Sequence, residues 1–390
     1  MLTPRSSLTR RIIAALDATP TRIPVLLGGC GSGRTTLLHL LRERIGRTSA
    51  QHIDVERTAT TPERFLRAVV STSPFAPVGE PPAPGARAAF DAALSFFTGA
   101  RAGSTEPSTF LLDEFLELRT FESFPGLRRA LHDLIDSLAA GPNRFVLTSR
   151  YTARALRLLR DRSSRFEIVH MPPVAVEDTV EMLGLGPTAR SGVDPHDAEY
   201  TARTVQSLAD GRASYVRAIA EELQRARERG GPGGADTISA LVALLGTGGR
   251  LSDQCNFSYE LRLHRARGYG ALKAILEILA EEEGLTLTEI SQRLQRTPGS
   301  TKDYLSLLED VDLVTARSKR YSFADPLLRV WVRLHCRATA PSDDDVAREV
   351  HRYALPRLPQ QPEPALVMAA AGNGASAEEE RKEWGIIEID

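Results

Sequence analysis

The stretch Gly28-Gly29-Cys30-Gly31-Ser32-Gly33-Arg34-Thr35-Thr36 follows the apolar run Ile23-Pro24-Val25-Leu26-Leu27. It meets the phosphate-loop pattern G-x-x-x-x-G-K-[ST] at every fixed position but one, where Arg34 stands for lysine. Glycines let the backbone curl until successive N–H groups face inward, which makes a concave anion site. A helix expected from Thr35 to about Arg47 adds its positive N-terminal end. The Thr35 hydroxyl is the Mg²⁺ ligand of such a loop. Arg34 keeps the positive charge and can fork onto phosphate oxygens, but it is larger, planar and differently aimed. The loop implies a bound nucleotide and leaves open whether that nucleotide is cleaved. The bland alternative is a glycine-rich strand-to-helix turn with no ligand. Cys30 is either a thiol activated by the electropositive loop or a small residue tolerated there.

A second set of residues bears on cleavage. Thr109-Phe110-Leu111-Leu112-Asp113-Glu114 reads as a buried strand ending in two acids. Asp113 would hold Mg²⁺ through water, and Glu114 would orient and polarise the attacking water. The plain alternative is a strand end followed by solvated acids. Asn143-Arg144-Phe145-Val146-Leu147-Thr148-Ser149-Arg150 is a further strand with polar residues at its C-terminal end. In an open α/β sheet that end faces the ligand crevice. Thr148 or Ser149 is positioned to contact the γ-phosphate or the lytic water. Arg150 could do the same, or reach a neighbouring subunit.

Composition frames the lysine-to-arginine exchange. The 390 residues carry 49 Lys+Arg against 50 Asp+Glu. Only Lys273, Lys302, Lys319 and Lys382 are lysines, so residues 1–272 contain none. Arg34 thus belongs to a chain-wide drift toward arginine. A net charge of −1 gives no global pull toward nucleic acid or an anionic membrane. Cys30, Cys255 and Cys336 are scattered, odd in number and without zinc spacing, which suits a reducing cytoplasm. No signal-peptide pattern opens the chain, and no apolar run approaches the ~20 residues that span a bilayer.

The elements that must carry these residues alternate. A helix is expected at 6–18, then strands at 23–28 and 52–56, a helix opening at Thr61-Pro62-Glu63, and a helix at 87–98. The acid-tipped strand follows, then a helix at 124–139, the Thr-Ser strand, a fifth strand at 165–170 and a helix at 176–184. This is an α/β pattern: a five-stranded parallel sheet with helices on both faces, over residues 1–190. Residues 191–236 read as a helical lid that ends in the linker Gly230-Gly231-Pro232-Gly233-Gly234. Arg212 and Arg217, near the start of its second helix, either fold over the phosphates or stand as solvated arginines.

Residues 237–340 contain three helices and a hairpin, 313–315 to 321–323, which is the layout of a winged helix-turn-helix. The third helix sets Lys302 against Asp303, Glu309 and Asp310, a poor surface for phosphates. Arg317, Lys319 and Arg320 at the hairpin tip are the better spot for DNA; otherwise the unit contacts protein. Residues 341–390 read as a flexible tail, with a helical stretch at 346–353. The terminal peptide 378–390, with Trp384, Ile386, Ile387 and Ile389, is either a segment that docks on a protein partner or a self-docked end.

Taken in order, these features resemble the P-loop ATPases of the AAA+/STAND group, particularly the archaeal-type ATPase family and its origin-recognition-like relatives. The run Tyr321-Ser322-Phe323-Ala324-Asp325-Pro326-Leu327-Leu328-Arg329-Val330-Trp331-Val332 is similar to that family's winged-helix ending. The resemblance covers about residues 10–337. It implies ATP with Mg²⁺; Gly28, Gly33, Arg34 and Thr35 as Walker A; Asp113 and Glu114 as Walker B; and Thr148 or Ser149 as sensor 1. It implies a nucleotide-dependent switch that rearranges or forms homo-oligomers around a partner or DNA. Two departures matter: the Walker lysine is arginine, and the lid has no clear Gly-x-x-Arg sensor 2. The first reading is therefore a switch with slow hydrolysis. The alternatives are a non-hydrolysing adaptor and a DNA-binding regulator.

Overall fold

The computed structural model describes residues 5–76, 82–103, 106–186, 194–229, 236–265 and 269–360. The linker 230–234 and the terminal peptide 378–390 lie outside the described residues. The central sheet comprises β1 (Ile23–Leu27), β2 (Ala50–Asp54), β3 (Thr109–Asp113), β4 (Arg144–Ser149) and β5 (Phe166–His170). All neighbours are parallel, in the order β2-β3-β4-β1-β5. Every residue of β1 and β3 is buried, as expected when helices cover both faces.

The two-residue period of the strands divides the core. Val25, Leu27, Phe110, Leu112, Phe145 and Leu147 point to one face. There Phe110 touches Phe75, Phe96, Phe97 and Phe145, with ring centroids 5.3, 6.0, 5.1 and 5.6 Å away. Leu26, Leu111, Val146 and Val169 point to the other face. They pack on helix Ser6–Leu16 through Leu8, Ile12 and Leu16, and on helix Arg34–Ile45 through Leu37, Leu38 and Leu41. Both helices thus clamp the strand that delivers the phosphate loop.

Beyond the sheet the chain is helical: Val176–Met182, Pro195–Leu208, Ala213–Glu228, Thr237–Leu245 and Arg250–Arg265. A smaller unit follows, with helices Tyr269–Glu281, Leu287–Leu294 and Pro298–Asp310. Its three-stranded antiparallel sheet is built from β6 (Leu285–Thr286), β7 (Val314–Arg317) and β8 (Arg320–Phe323), in the order β6-β8-β7. Helix Pro326–His335 then returns to the preceding helices through Leu327, Val330 and Leu334.

Two expectations are corrected. The helix foreseen at 124–139 begins only at Ala130; Phe115–Ser123 is a 3₁₀ stretch, and Pro125-Gly126 separates the two. The chain from 341 is not loose at its start. Helix Asp343–Ala354 carries a capping box between Ser342 and Asp345 and buries Val346, Val350, Tyr353 and Ala354 among the preceding helices. Their four-and-three spacing gives the helical stretch expected at 346–353; the structure starts it three residues earlier and packs it down. Contacts bind the chain into one unit as far as Pro359. No helix among the described residues is long and apolar enough to cross a membrane.

Because Phe110 is the shared neighbour of four rings, Phe110→Ala should cost about 3–5 kcal/mol in urea unfolding. A loss below about 1 kcal/mol would show that the sheet does not depend on this cluster.

Candidate functional site

The site lies at the C-terminal edge of the sheet, where parallel strands leave their ligand crevice. β4 stands between β1 and β3, so Thr148 emerges between the phosphate loop and the acids. Gly33 ends the loop at φ 90 and caps the helix without a side chain. The first-turn N–H groups of Arg34, Thr35 and Thr36 therefore have no intrahelical acceptor and remain for an anion. Gly31 adopts φ 78, and a Cβ there would strike Ser214 Oγ. Ser214 N also donates to the Gly31 carbonyl at 3.0 Å, which joins the loop to helix Ala213–Glu228.

Asp113 is the hub of the oxygen ligands. Thr35 Oγ1 donates to its Oδ2 at 2.6 Å, and Thr148 Oγ1 donates to its Oδ1. Burial opposes ionisation of Asp113, but His52 Nε2 at 3.8 Å, the hydroxyls of Thr148 and Thr35 and the charge of Arg34 outweigh it and hold the carboxyl at about 2. A hydroxyl and an ionised carboxylate in contact are hard oxygen donors of the kind Mg²⁺ takes beside phosphate and water. These residues fit that ion.

Glu114 follows in the left-handed region, at φ 55. Its N–H donates to Thr148 Oγ1 at 3.0 Å, and its Oε2 accepts from Arg150 N at 3.0 Å. Two guanidiniums hold the carboxylate: Arg34 Nη2 lies 2.6 Å from Oε1 and Arg150 Nε 3.2 Å from it. Burial favours the neutral acid, but Arg34 and Arg150 keep Glu114 below the usual carboxylate range.

Arg34 also closes on its own loop. Its Nη1 donates to the Gly28 carbonyl, to the Gly29 carbonyl at 2.7 Å and to Ser32 Oγ at 3.0 Å. The cation of the loop is thus turned toward backbone carbonyls and Glu114. An arriving phosphate must compete for it. The loop, with free first-turn amides and a cation at hand, still fits an anion once Arg34 turns.

Thr148 is brought to the acids, whereas Ser149 is not. The Ser149 hydroxyl accepts from Tyr151 N at 3.0 Å, because adjacent residues of a strand face opposite ways. Arg150 is turned inward and its side chain is 9% exposed; it pairs with Glu56 as well as Glu114 and reaches no outer surface. Arg212 Nη1 donates to the Cys30 carbonyl at 3.0 Å, and its Nη2 donates to the Ala324 carbonyl at 2.7 Å. Arg217 lines a cavity of about 210 Å³ with Gly31, Ser32, Gly33, Arg34, Thr35 and Thr36. A larger cavity of about 680 Å³ opens beside Gly28, Gly29 and Ser32, walled by Met171, Pro172 and Pro173 and by Gln206, Asp210 and Arg212.

Sequence reasoning passed over several of these residues. Arg5 Nη2 donates to the Ser32 carbonyl at 3.0 Å from ahead of the first helix. Arg262 lies against Cys30 from a helix more than 200 residues downstream. Neither stands in a local pattern. Glu56 lies in the short helix Val55–Thr58 that follows β2 at the crevice edge, since the strand expected at 52–56 runs from Ala50 to Asp54.

Comparisons agree with this topology. No family model matches the chain, and no curated protein matches it. Among solved structures, it is similar to a Walker-type ATPase of Pyrococcus abyssi, with a TM-score of 0.59 and 18% identity over 84% of this chain and 95% of that one. It also matches the Aeropyrum pernix ORC1 protein in complex with DNA (TM-score 0.44, 16% identity, 89% of this chain and 92% of that one). A third match is the Thermotoga maritima RuvB Holliday junction branch migration motor (TM-score 0.41, 14% identity, 82% and 91%). The chain has the fold of the Walker-type P-loop ATPases.

Proposed function

We propose that this protein binds ATP with Mg²⁺ and hydrolyses it slowly, as a nucleotide-dependent switch. The observation that carries the reading is the joint assembly of Thr35, Asp113, Thr148 and Glu114 at the phosphate loop, with Arg34 ion-paired to Glu114. The preference for ATP rests on the fold shared with a Walker-type ATPase. The nucleotide supplies the reactive anhydride, and Mg²⁺ supplies charge neutralisation at its phosphates.

The chain's own residues supply the rest. Thr35 and Asp113 hold the metal, and Asp113 is ionised well below neutral pH. Glu114 is the general base that takes a proton from water. It cannot do so freely while Arg34 occupies Oε1, since a carboxylate paired with a cation is a weak base. Movement of Arg34 from Glu114 to phosphate removes the closer of the two cations on Oε1 and so strengthens the base only when nucleotide is present, while Arg150 stays beside it. Arg150, bonded to Oε2 through its backbone, keeps the freed carboxylate oriented. The larger cavity, with its wall of Met171, Pro172 and Pro173, takes base and ribose.

The C-terminal unit reads as a winged helix-turn-helix that engages DNA through its hairpin tip. Arg317, Lys319 and Arg320 are exposed there. The third helix is less free at its end, where Asp310 pairs with Arg154 and Arg157 of helix Thr152–Leu159. Homo-oligomerisation and a protein partner for residues 378–390 remain part of the switch reading. The reducing cytoplasm suggested by the cysteines is its expected compartment.

With Mg-ATP, phosphate release should be measurable for the wild type and fall at least about 100-fold in Glu114→Gln. Arg34→Lys should turn over faster, because lysine cannot hold Glu114 and the loop carbonyls together. Wild-type release equal to that of Glu114→Gln, with ATP still raising the melting temperature, would leave a non-hydrolysing adaptor instead. For DNA, replacing Arg317, Lys319 and Arg320 together by Ala should abolish salt-sensitive retention on duplex. Retention that survives the triple change would exclude the hairpin tip.

A further inference from the structure

A ring nitrogen stands beside the oxygen ligands of the site. His52 lies on β2 in register with Leu111 of β3, so its side chain shares a face with Asp113, two residues further on. On the covering helix Arg34–Ile45, Thr35 and His39 are four residues apart and lie on one side. The His39 and His52 rings meet there, with centroids 4.5 Å apart and planes inclined by 39°. Two strands and a helix thus bring Thr35, Asp113 and His52 together, and the His39 ring restricts how far His52 can turn.

His52 Nε2 is 3.8 Å from Asp113 Oδ2, the oxygen that also accepts from Thr35 Oγ1 at 2.6 Å. The nitrogen is buried and has no hydrogen-bond partner. An unpaired polar atom away from water is costly, so a group that engages it gains. The separation is too long for a hydrogen bond. It suits two donors of one ion, which at ~2.1 Å from the metal stand roughly 3–4 Å apart. Imidazole nitrogen is a common metal ligand and favours first-row transition ions over Mg²⁺. No three His, Cys, Asp or Glu side chains among the described residues group around a metal position. One nitrogen, one carboxylate and one hydroxyl therefore need phosphate and water to complete the shell.

We propose that His52 is a nitrogen ligand to the divalent cation that Thr35 and Asp113 hold, and that it tilts the site from Mg²⁺ toward Mn²⁺. The inference rests on the nucleotide reading above and adds to it a donor from outside the loop, the two acids and Thr148. It also makes tight binding of the cation depend on the nucleotide, whose phosphates fill the open positions.

Pulsed EPR of the full chain, in excess over Mn²⁺ and ADP, tests this. Phosphorus coupling reports the ion on the nucleotide, and ¹⁴N modulation reports a nitrogen ligand. The wild type should show both, and ¹⁵N-histidine labelling should replace the ¹⁴N signal. His52→Gln should lose the nitrogen signal and keep the phosphorus coupling, whereas His39→Phe should keep both. Mg²⁺ should displace Mn²⁺ at least about tenfold more readily from His52→Gln than from wild type. Should the glutamine variant not fold, the labelled wild type and His39→Phe still decide. Phosphorus coupling without a histidine nitrogen, or a nitrogen signal that survives His52→Gln or vanishes in His39→Phe, overturns the assignment. ADP that fails to bind with either cation overturns the nucleotide reading itself.

Discussion

The ion pair between Arg34 and Glu114 is the contact on which the rest of the site depends. Both side chains are nearly enclosed, at 7% and 8% exposure, so each needs the other to offset the loss of water. Glu114 also sits at φ 55, a conformation that costs a non-glycine residue of order 1 kcal/mol. Thr148 Oγ1 on its N–H and Arg150 on its carboxylate hold it there. The arginine is more than a substitute charge. A planar fork reaches Gly28, Gly29 and Ser32 with one nitrogen and Glu114 with the other, and a lysine ammonium could not span both. The exchange that sets this loop apart from the usual pattern is also what permits its closure.

From this pair the constraints spread outward. The loop touches the following helices through Ser214 and Arg212, and Arg212 leads on to the border of the C-terminal unit. Arg212 reaches Ala324 and Asp325; Arg262 reaches Asp312. Asp325 caps helix Pro326–His335 through the N–H groups of Leu327 and Leu328, and accepts from the Tyr215 hydroxyl at 2.7 Å. The Arg212 contacts thus form a polar link between the loop and the start of the helix after β8. The apolar core alone would give no such directionality, since its contacts do not depend on charge.

Much of this was legible in the sequence, for identifiable reasons. The parallel sheet declared itself through continuous apolar runs, such as Phe110-Leu111-Leu112, separated by helical periods. The loop, the two acids and Thr148 follow strands and so had to share one edge. What escaped was long-range or directional. Ser149 and Thr148 are neighbours with equal hydroxyl chemistry, and only the pleat decides which faces Asp113. Arg150 was free to point outward until Glu56 and Glu114 were placed beside it. Arg262 lies in no motif, and its helix shows nothing of Cys30. The helical stretch at 346–353 was legible, but its start at Asp343 and its packing on the preceding helices were not.

On the proposed reading, Arg34 gates the base by exchanging Glu114 for phosphate. This exchange is tested most directly by a crystal structure with Mg²⁺ and a non-hydrolysable ATP analogue. The Arg34 guanidinium should then lie on a phosphate oxygen and Glu114 Oε1 be released from it, with the Arg150 N–H still on Oε2. A nucleotide seated in the loop while Arg34 stays bonded to Glu114 would contradict it.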